Sequence, residues 1–332
     1  NHNADGSRSF SASAEAGIYT VAVNCRGNGS WALPTIPRAA TVTSGTDFND
    51  EGNPRITFNN PGGFQLKPYL NFYDSNNNRI AQIFAPQGNY SSPYKWNLTD
   101  AQRQTLRSAL ANLKSCRVQE GLNTYNGSEQ LGYNSVAKTF SIVNANPTIG
   151  SISYQDSNSK TTGITNDNQI IIQNNSNLMF NFSNITAYKS ATLKNIKVTL
   201  NGVSKSVNLS GYSVSNVSLN FGAVNSAQNL TASIVVTDSR GNTTTYTTPI
   251  TIESWSLPTA IITCQRKNNY YSETDINVNA DYSSLDGKNQ ITIQYQYKKT
   301  TDSSYSALAN LQDDVTTTFN IDNLYAWNIK VI

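Results

Sequence analysis

Asp238, Ser239, Arg240 and Gly241 stand in a row inside ASIVVTDSRGNTTTYT, residues 232–247. A hydroxyl beside a carboxylate is raw material for acyl transfer, and an Arg-Gly tip is raw material for adhesion. A serine nucleophile needs a base to take its proton. The one histidine of the chain is His2. An adhesive Arg-Gly-Asp tip needs an acid after the glycine, and Asn242 stands there instead. The flanking runs ASIVVTD and NTTTYTTPITI alternate as strands do. Ser239, Arg240 and Gly241 therefore read as a hairpin connection, with Gly241 able to take a positive φ and Asp238 able to bond nearby amides. Arg240 is then expected as a surface contact, free to meet a neighbouring module.

Other chemistries are thinly supplied. Glycoside hydrolysis needs two carboxylates across one cleft. Asp238, Asp281, Asp286, Asp313 and Asp314 are available, but none stands in a recognisable motif, and acids beside Gly and Asn are turn formers. YDSNNNR offers Asp74, Asn76 and Asn78 at alternate positions, as a calcium loop would. Arg79 stands where such a loop needs glycine, and Ala85 where it needs glutamate. DSNSKTTGITND, residues 156–167, fails at Lys160. Both stretches read as hairpin turns, a structural ion in one of them being the alternative. NPGG at residues 60–63 is a turn signal, because no strand-to-helix step follows it. No catalytic residue, cofactor or metal is expected.

Aromatic residues are the remaining candidates. Sugars are bound by flat rings flanked by fixed polar groups. Tyr270 and Tyr271 lie in the polar stretch RKNNYYSE, where core packing explains them poorly. For this pair a contact surface and simple packing stay open as alternatives. Trp31, Trp96, Trp255 and Trp327 fall near strands or module boundaries and read as packing.

Composition narrows the class. Charged residues are 14% of 332 and the net charge is +3, too weak and too scattered for a nucleic-acid footprint. No apolar run approaches the roughly 20 residues of a membrane span. Cys25, Cys116 and Cys264 are too few and too far apart for a disulfide framework or a zinc site, and read as thiols of a protein folded in a reducing cytosol. The chain opens NHNADGSRSF and closes LYAWNIKVI, and both ends read as cuts in a longer polypeptide.

The elements that must position these residues are mostly strands. Short alternating runs such as RITFNN, YLNFYD, LMFNF, NIKVTL and DINVNA recur between polar turn clusters. That pattern predicts an all-β protein of tandem antiparallel β-sandwiches, Ig-like or fibronectin type III-like. One helix is expected at about residues 99–114. Thr99 and Gln102 form a capping box there, and Leu106, Ala109, Leu110 and Leu113 share a face. It reads as a helix closing the open side of a sandwich, with a partner-binding helix as the alternative. LPTIP (33–37), NPTIG (146–150) and LPTAI (257–261) each open a new set of strands. Proline stiffens such junctions and cannot continue a central strand. The expected division is 1–33, the end of an upstream β-domain with SRSFSASA paired to IYTVAVNC; 34–146, a sandwich with the helix; 147–257, an Ig-like sandwich; and 258–332, a fibronectin-like sandwich, complete or cut short.

Several stretches together carry a resemblance. They are HNADGSRSFSASA, LPTIPRAATVTSG, NANPTIGSISYQDSNSKTTGIT, VVTDSRGNTT, LPTAIITCQRKN and YSSLDGKNQITIQYQYKK. In this order the chain resembles the minor structural proteins of siphophage tails, from phages of Gram-positive bacteria. In that family a His-Asn-x-Asp-Gly strand ends an upstream β-domain. An Ile-Pro-Arg-Ala-Ser-like junction and Ig-like or fibronectin-like modules follow. Arg38-Ala39-Ala40 lacks the serine of that junction. The resemblance implies a virion protein of the tail tip or tail fibre, assembled in the host cytoplasm beside other tail and baseplate proteins. It implies a homo-oligomer, since tails are rotationally symmetric. The modular β-repeats and the Tyr270–Tyr271 pair add the expectation of host attachment through cell-wall or capsule polysaccharide, where many weak sites add through avidity. Two other readings stand beside it, a bacterial surface adhesin of Ig-like repeats and a polysaccharide-degrading tail enzyme.

Overall fold

A computed structural model describes residues 38–332. The expected hairpin of residues 1–33, the first proline junction through Pro37, His2, Cys25 and Trp31 lie outside the described residues. Along the rest, strands pair into six sheets that make tandem antiparallel β-sandwiches, as the alternating runs predict.

The first sandwich contains β1 (Thr41–Ser44), β2 (Phe48–Asn49), β3 (Arg55–Asn59), β4 (Gln65–Tyr73), β5 (Arg79–Phe84), β6 (Tyr94–Lys95), β7 (Ser115–Asn126) and β8 (Glu129–Ser141). One sheet runs β1-β3-β6 and the other β2-β8-β7-β4-β5. Successive side chains of a strand alternate between faces. On β7 the inward row is Cys116, Val118, Glu120, Leu122 and Thr124. Val118 joins Phe72, Trp96, Leu106 and Phe140 in one apolar cluster, and Leu122 joins Ile56, Phe58 and Leu66 in another. Glu120 stands in the row between those two positions and is fully buried. Its Oε2 accepts the Thr46 amide at 3.2 Å, while Oε1 has no partner. Gly45 lies against this carboxyl so closely that a Cβ there would collide with it.

Helix α1 (Asp100–Ala109) follows β6. Thr99 Oγ1 accepts the Gln102 amide and Gln102 Oε1 accepts the Thr99 amide, so the capping box forms as its spacing predicts. Leu106 and Leu110 are fully buried in the larger cluster, and Ala109 and Leu113 pack beside them. The helix closes that side of the sandwich. It ends earlier than the apolar spacing suggests, because Leu110 already leaves helical geometry.

The second sandwich contains β9 (Thr148–Asp156), β10 (Ile170–Ile172), β11 (Leu178–Thr186), β12 (Leu193–Leu200), β13 (Val203–Asn208), β14 (Ser213–Gly222), β15 (Leu230–Asp238) and β16 (Thr243–Glu253). The sheets run β14-β11-β9 and β10-β16-β15-β12-β13. In immunoglobulin lettering these are E-B-A and A′-G-F-C-C′, a Greek-key sandwich of that class. Its core is one continuous cluster including Phe180, Phe182, Ile196, Val198, Ile234 and Val236.

One local expectation fails here. DSNSKTTGITND is not a hairpin turn, for it holds a second helix, α2 (Ser159–Thr165). Asn158 caps it by accepting the Lys160 amide. The Asp156 carboxylate beneath accepts from the Thr161 and Ser176 hydroxyls and from the Asn158 and Asn177 amides. Tertiary bonds to a buried acid hold a short helix that polar composition alone reads as a turn.

The third sandwich contains β17 (Thr259–Arg266), β18 (Glu273–Asp281), β19 (Ile293–Lys299), β20 (Ala309–Leu311), β21 (Thr317–Asn320) and β22 (Trp327–Val331). Its sheets run β17-β18-β21 and β20-β19-β22. Its core is smaller, built on Ile276, Val278, Ile293, Tyr295 and Leu311.

Candidate functional site: a clamp between the first two sandwiches

The hairpin that joins β15 to β16 is shaped by its own residues. Asp238 is buried, and its carboxylate accepts the Asn242 amide at 2.8 Å and the Asn242 side chain at 3.0 Å. Gly241 turns the chain at φ 77°, a conformation that other residues resist. These bonds occupy the one carboxylate beside Ser239 and aim Ser239 and Arg240 out of the second sandwich, toward the first.

Arg240 is not an open surface contact. It is 6% exposed, and its guanidinium lies against backbone carbonyls. Nε donates to the Leu110 carbonyl at 2.8 Å and Nη2 to the Arg107 carbonyl at 3.1 Å, both at the end of α1. Nη1 and Nη2 also hold the Tyr188 and Lys189 carbonyls of its own sandwich. Ser239 Oγ donates to the Ala111 carbonyl at 2.6 Å. The last carbonyls of a helix lack partners within the helix and carry partial negative charge. A cation with five donors fixed in a plane suits them. Burial pulls the Arg240 pKa down, and the Asp238 and Asp50 carboxylates oppose that shift. The second sandwich thus caps the helix of the first.

A second set of charges locks the same joint. Lys189 and Ser190 sit between β11 and β12 at φ 52° and 66°, left-handed conformations unusual for these residues. Each such residue costs on the order of 1–3 kcal/mol and persists where its surroundings hold it. Lys189 Nζ donates to Glu51 Oε1 at 2.6 Å and to the Val143 carbonyl at 2.6 Å, and lies 3.0 Å from Asp50 Oδ2. Asp50 is fully buried and also meets Arg107 Nε at 2.7 Å. Burial pushes its carboxyl up, but the Val143 amide, Lys189 and Arg107 together hold it below the ordinary value. Ser190 adds a bond from Gln104 at 2.9 Å. The joint is polar: Asp50, Arg107 and Lys189 are ion-paired, and the Arg240 guanidinium is hydrogen-bonded to carbonyls.

The joint between the second and third sandwiches is leaner. There the Trp255 amide donates to Gln173 Oε1 at 3.3 Å and the Ser256 amide to Ser283 Oγ at 2.8 Å. Tyr270 and Tyr271 lie at the far end of the third sandwich, 65% and 44% exposed. Their rings meet edge to face, centroids 5.1 Å apart. Arg240 and the tyrosines are therefore not parts of one site. Sequence reasoning missed Asp50, Arg107 and Lys189, whose only local signals are single charges in polar turns or on a helix face. The Asp74 loop closes on itself, its carboxylate accepting from the Asn76 and Asn78 amides. Among the described residues no cluster of three His, Cys, Asp or Glu could hold a metal ion. No helix there is long and apolar enough to cross a membrane.

None of the curated proteins matches the chain. Among solved structures, the tetra-tandem repeat in the extending region of a large adhesion protein is 12% identical with a TM-score of 0.34, over 86% of this chain and 66% of that one, just under two thirds. The fibronectin(III)-like modules of Clostridium thermocellum CbhA are 13% identical with a TM-score of 0.25, over 65% of this chain and 94% of that one. Titin domains give 11%, a TM-score of 0.25, and coverage of 88% and 92%. At such scores these superpositions add nothing to the strand order read from the chain itself. The family described as "Siphovirus protein of unknown function (DUF859)" matches residues 1–320. That match spans nearly the whole sequence, and the chain belongs to this siphovirus protein family.

Proposed function

We propose that the chain is a virion structural protein of the tail tip or tail fibre, contributing to host attachment through cell-surface polysaccharide. The observation that carries this reading is the clamp at Arg240 and Lys189, found in a member of a siphovirus family. A joint capped and ion-paired in this way holds two sandwiches at a fixed angle. Stiff tandem modules suit a spacer that carries a contact surface away from its base. The units of that spacer are 34–146, 147–257 and 258–332.

The same reading makes the chain a non-enzymatic component. It is assembled in the host cytoplasm with other tail and baseplate proteins, as a symmetric homo-oligomer. The free thiols of Cys116 and Cys264 suit a reducing compartment. Immunogold labelling of intact virions with antibody to this chain tests it. Label at the distal tail is expected. Label confined to heads, or absent from virions, would refute it.

A further inference from the structure

Three connections meet at one end of the third sandwich, residues 267–272, 300–308 and 321–326. The register puts them together, because Arg266 pairs with Thr274, Glu273 with Asn320 and Lys299 with Trp327. Ser283, which meets Ser256 at the joint, lies past the opposite ends of these strands. The three-loop end therefore faces away from the second sandwich.

The loops are tied. Arg266 donates to the carbonyls of Tyr271, Ile321 and Asp322. The Asn323 side chain donates to the Tyr270 carbonyl at 2.9 Å, and the Trp327 indole to the Asp322 carbonyl at 2.8 Å. The backbone beneath Tyr270 and Tyr271 and the Trp327 ring are thus held in place before any ligand arrives, which lowers the entropy lost on binding.

Tyr270, Tyr271, Tyr305 and Tyr325 are all exposed here, beside Leu324 at 83%. Exposed rings on all three loops of one end mark a contact surface. Lysines stand among them. Lys299 Nζ lies 3.6 Å from the Tyr325 ring centroid and 5.9 Å from that of Trp327, and Lys298 Nζ lies 5.1 Å from that of Tyr305. The salt bridges among the described residues include neither lysine. Flat rings offer faces to sugar rings, and an ammonium between them offers charge to an anionic substituent.

We propose that this three-loop end binds a glycan bearing phosphate or carboxylate groups. The proposal rests on the attachment reading above and gives it a place and a ligand class. The test uses the full chain and cell walls purified from a phage-susceptible Gram-positive strain. The walls are used intact, stripped of phosphate, or reduced at their carboxylates, and bound protein is read by depletion from solution. Saturable binding to intact walls is expected. Tyr270→Ala and Tyr325→Ala should each weaken it about tenfold. Lys299→Gln should weaken it comparably, as should removal of one of the two anionic groups, which names the source of the charge. Tyr133→Ala, at an exposed ring of the first sandwich, should bind as the parent does. Circular dichroism checks that the variants fold. Wall binding that survives every substitution at this end overturns the site and leaves wall attachment standing. Loss with the ring variants alone, indifferent to Lys299 and to both wall treatments, overturns the anionic class. No binding by the parent chain overturns site and attachment together.

Discussion

The guanidinium of Arg240 ends on the carbonyl of Leu110, 2.8 Å away across 130 residues of sequence. One side chain finishes a helix of the first sandwich and anchors a hairpin of the second. Arg240→Ala strips donors from buried carbonyls and should cost about 2–4 kcal/mol. Calorimetry of the full chain should show the first two sandwiches melting together in the parent and apart in the variant. Arg240→Lys should recover little, since one ammonium lacks the planar fork of donors. An unchanged melt for Arg240→Ala would count against the clamp.

Asp50 is the anion that two cations of the joint share. Asp50→Ala leaves Arg107 and Lys189 facing a site without its charge and should cost about 3–5 kcal/mol. The folded pKa of Asp50 lies below its unfolded value. Its contribution is therefore complete above the ordinary carboxylate range and is lost as pH falls through the folded value. Melting temperatures taken through the acid range should show this loss in the parent and a weaker one in Asp50→Ala. Equal acid slopes would argue that Asp50 is not the group responsible.

Glu120 behaves in the opposite sense. Burial raises its carboxyl from 4.5 to about 7, the Thr46 amide and Lys138 pull it down, and Asp47 adds to the rise. Between those values the folded state keeps a proton that the unfolded state has released. Stability should therefore fall as pH rises from 4.5 to about 7 and stay low above it. Glu120→Gln keeps an acceptor for the Thr46 amide and removes the charge. It should add about 3 kcal/mol in mildly alkaline buffer and nothing in acid. Denaturant titrations at both pH values measure it, and a variant no more stable in alkali would refute it.

The two described thiols should react unequally. Burial pushes Cys116 up to about 12, whereas Cys264 is exposed on β17. Iodoacetamide on the native chain, followed by peptide mapping, should modify Cys264 and spare Cys116 until denaturant is added. Equal labelling of both in the native state would place Cys116 outside the core.

Regular alternation made the strands legible, because a strand half buried on a core writes its period into the sequence. RITFNN becomes β3 and LMFNF becomes β11 for that reason. The capping box at Thr99 and Gln102 is equally local, and it forms. Helix α2 was not legible, since what holds it is an acid at Asp156 bonded to Ser176, 20 residues on. The hairpin at residues 239–242 could be read as a turn, but the burial of Arg240 could not. Two of its four acceptors, Arg107 and Leu110, belong to another sandwich. Tyr305, Tyr325 and Lys299 escaped notice beside Tyr270 because three loops separate in sequence bring them together.

The helix cap supplied by Arg240 also has a history in time. Synthesis proceeds at roughly 5–20 residues per second, so a gap of 130 residues takes about 7–26 s. Through that interval the end of α1 waits for a cap that the ribosome has not yet made. A nascent chain halted between Val143 and Lys189 would carry a first sandwich with a frayed helix end and an Asp50–Arg107 pair lacking its lysine. The cap on α1 is thus supplied late and in sequence, the second sandwich completing the first as it leaves the ribosome.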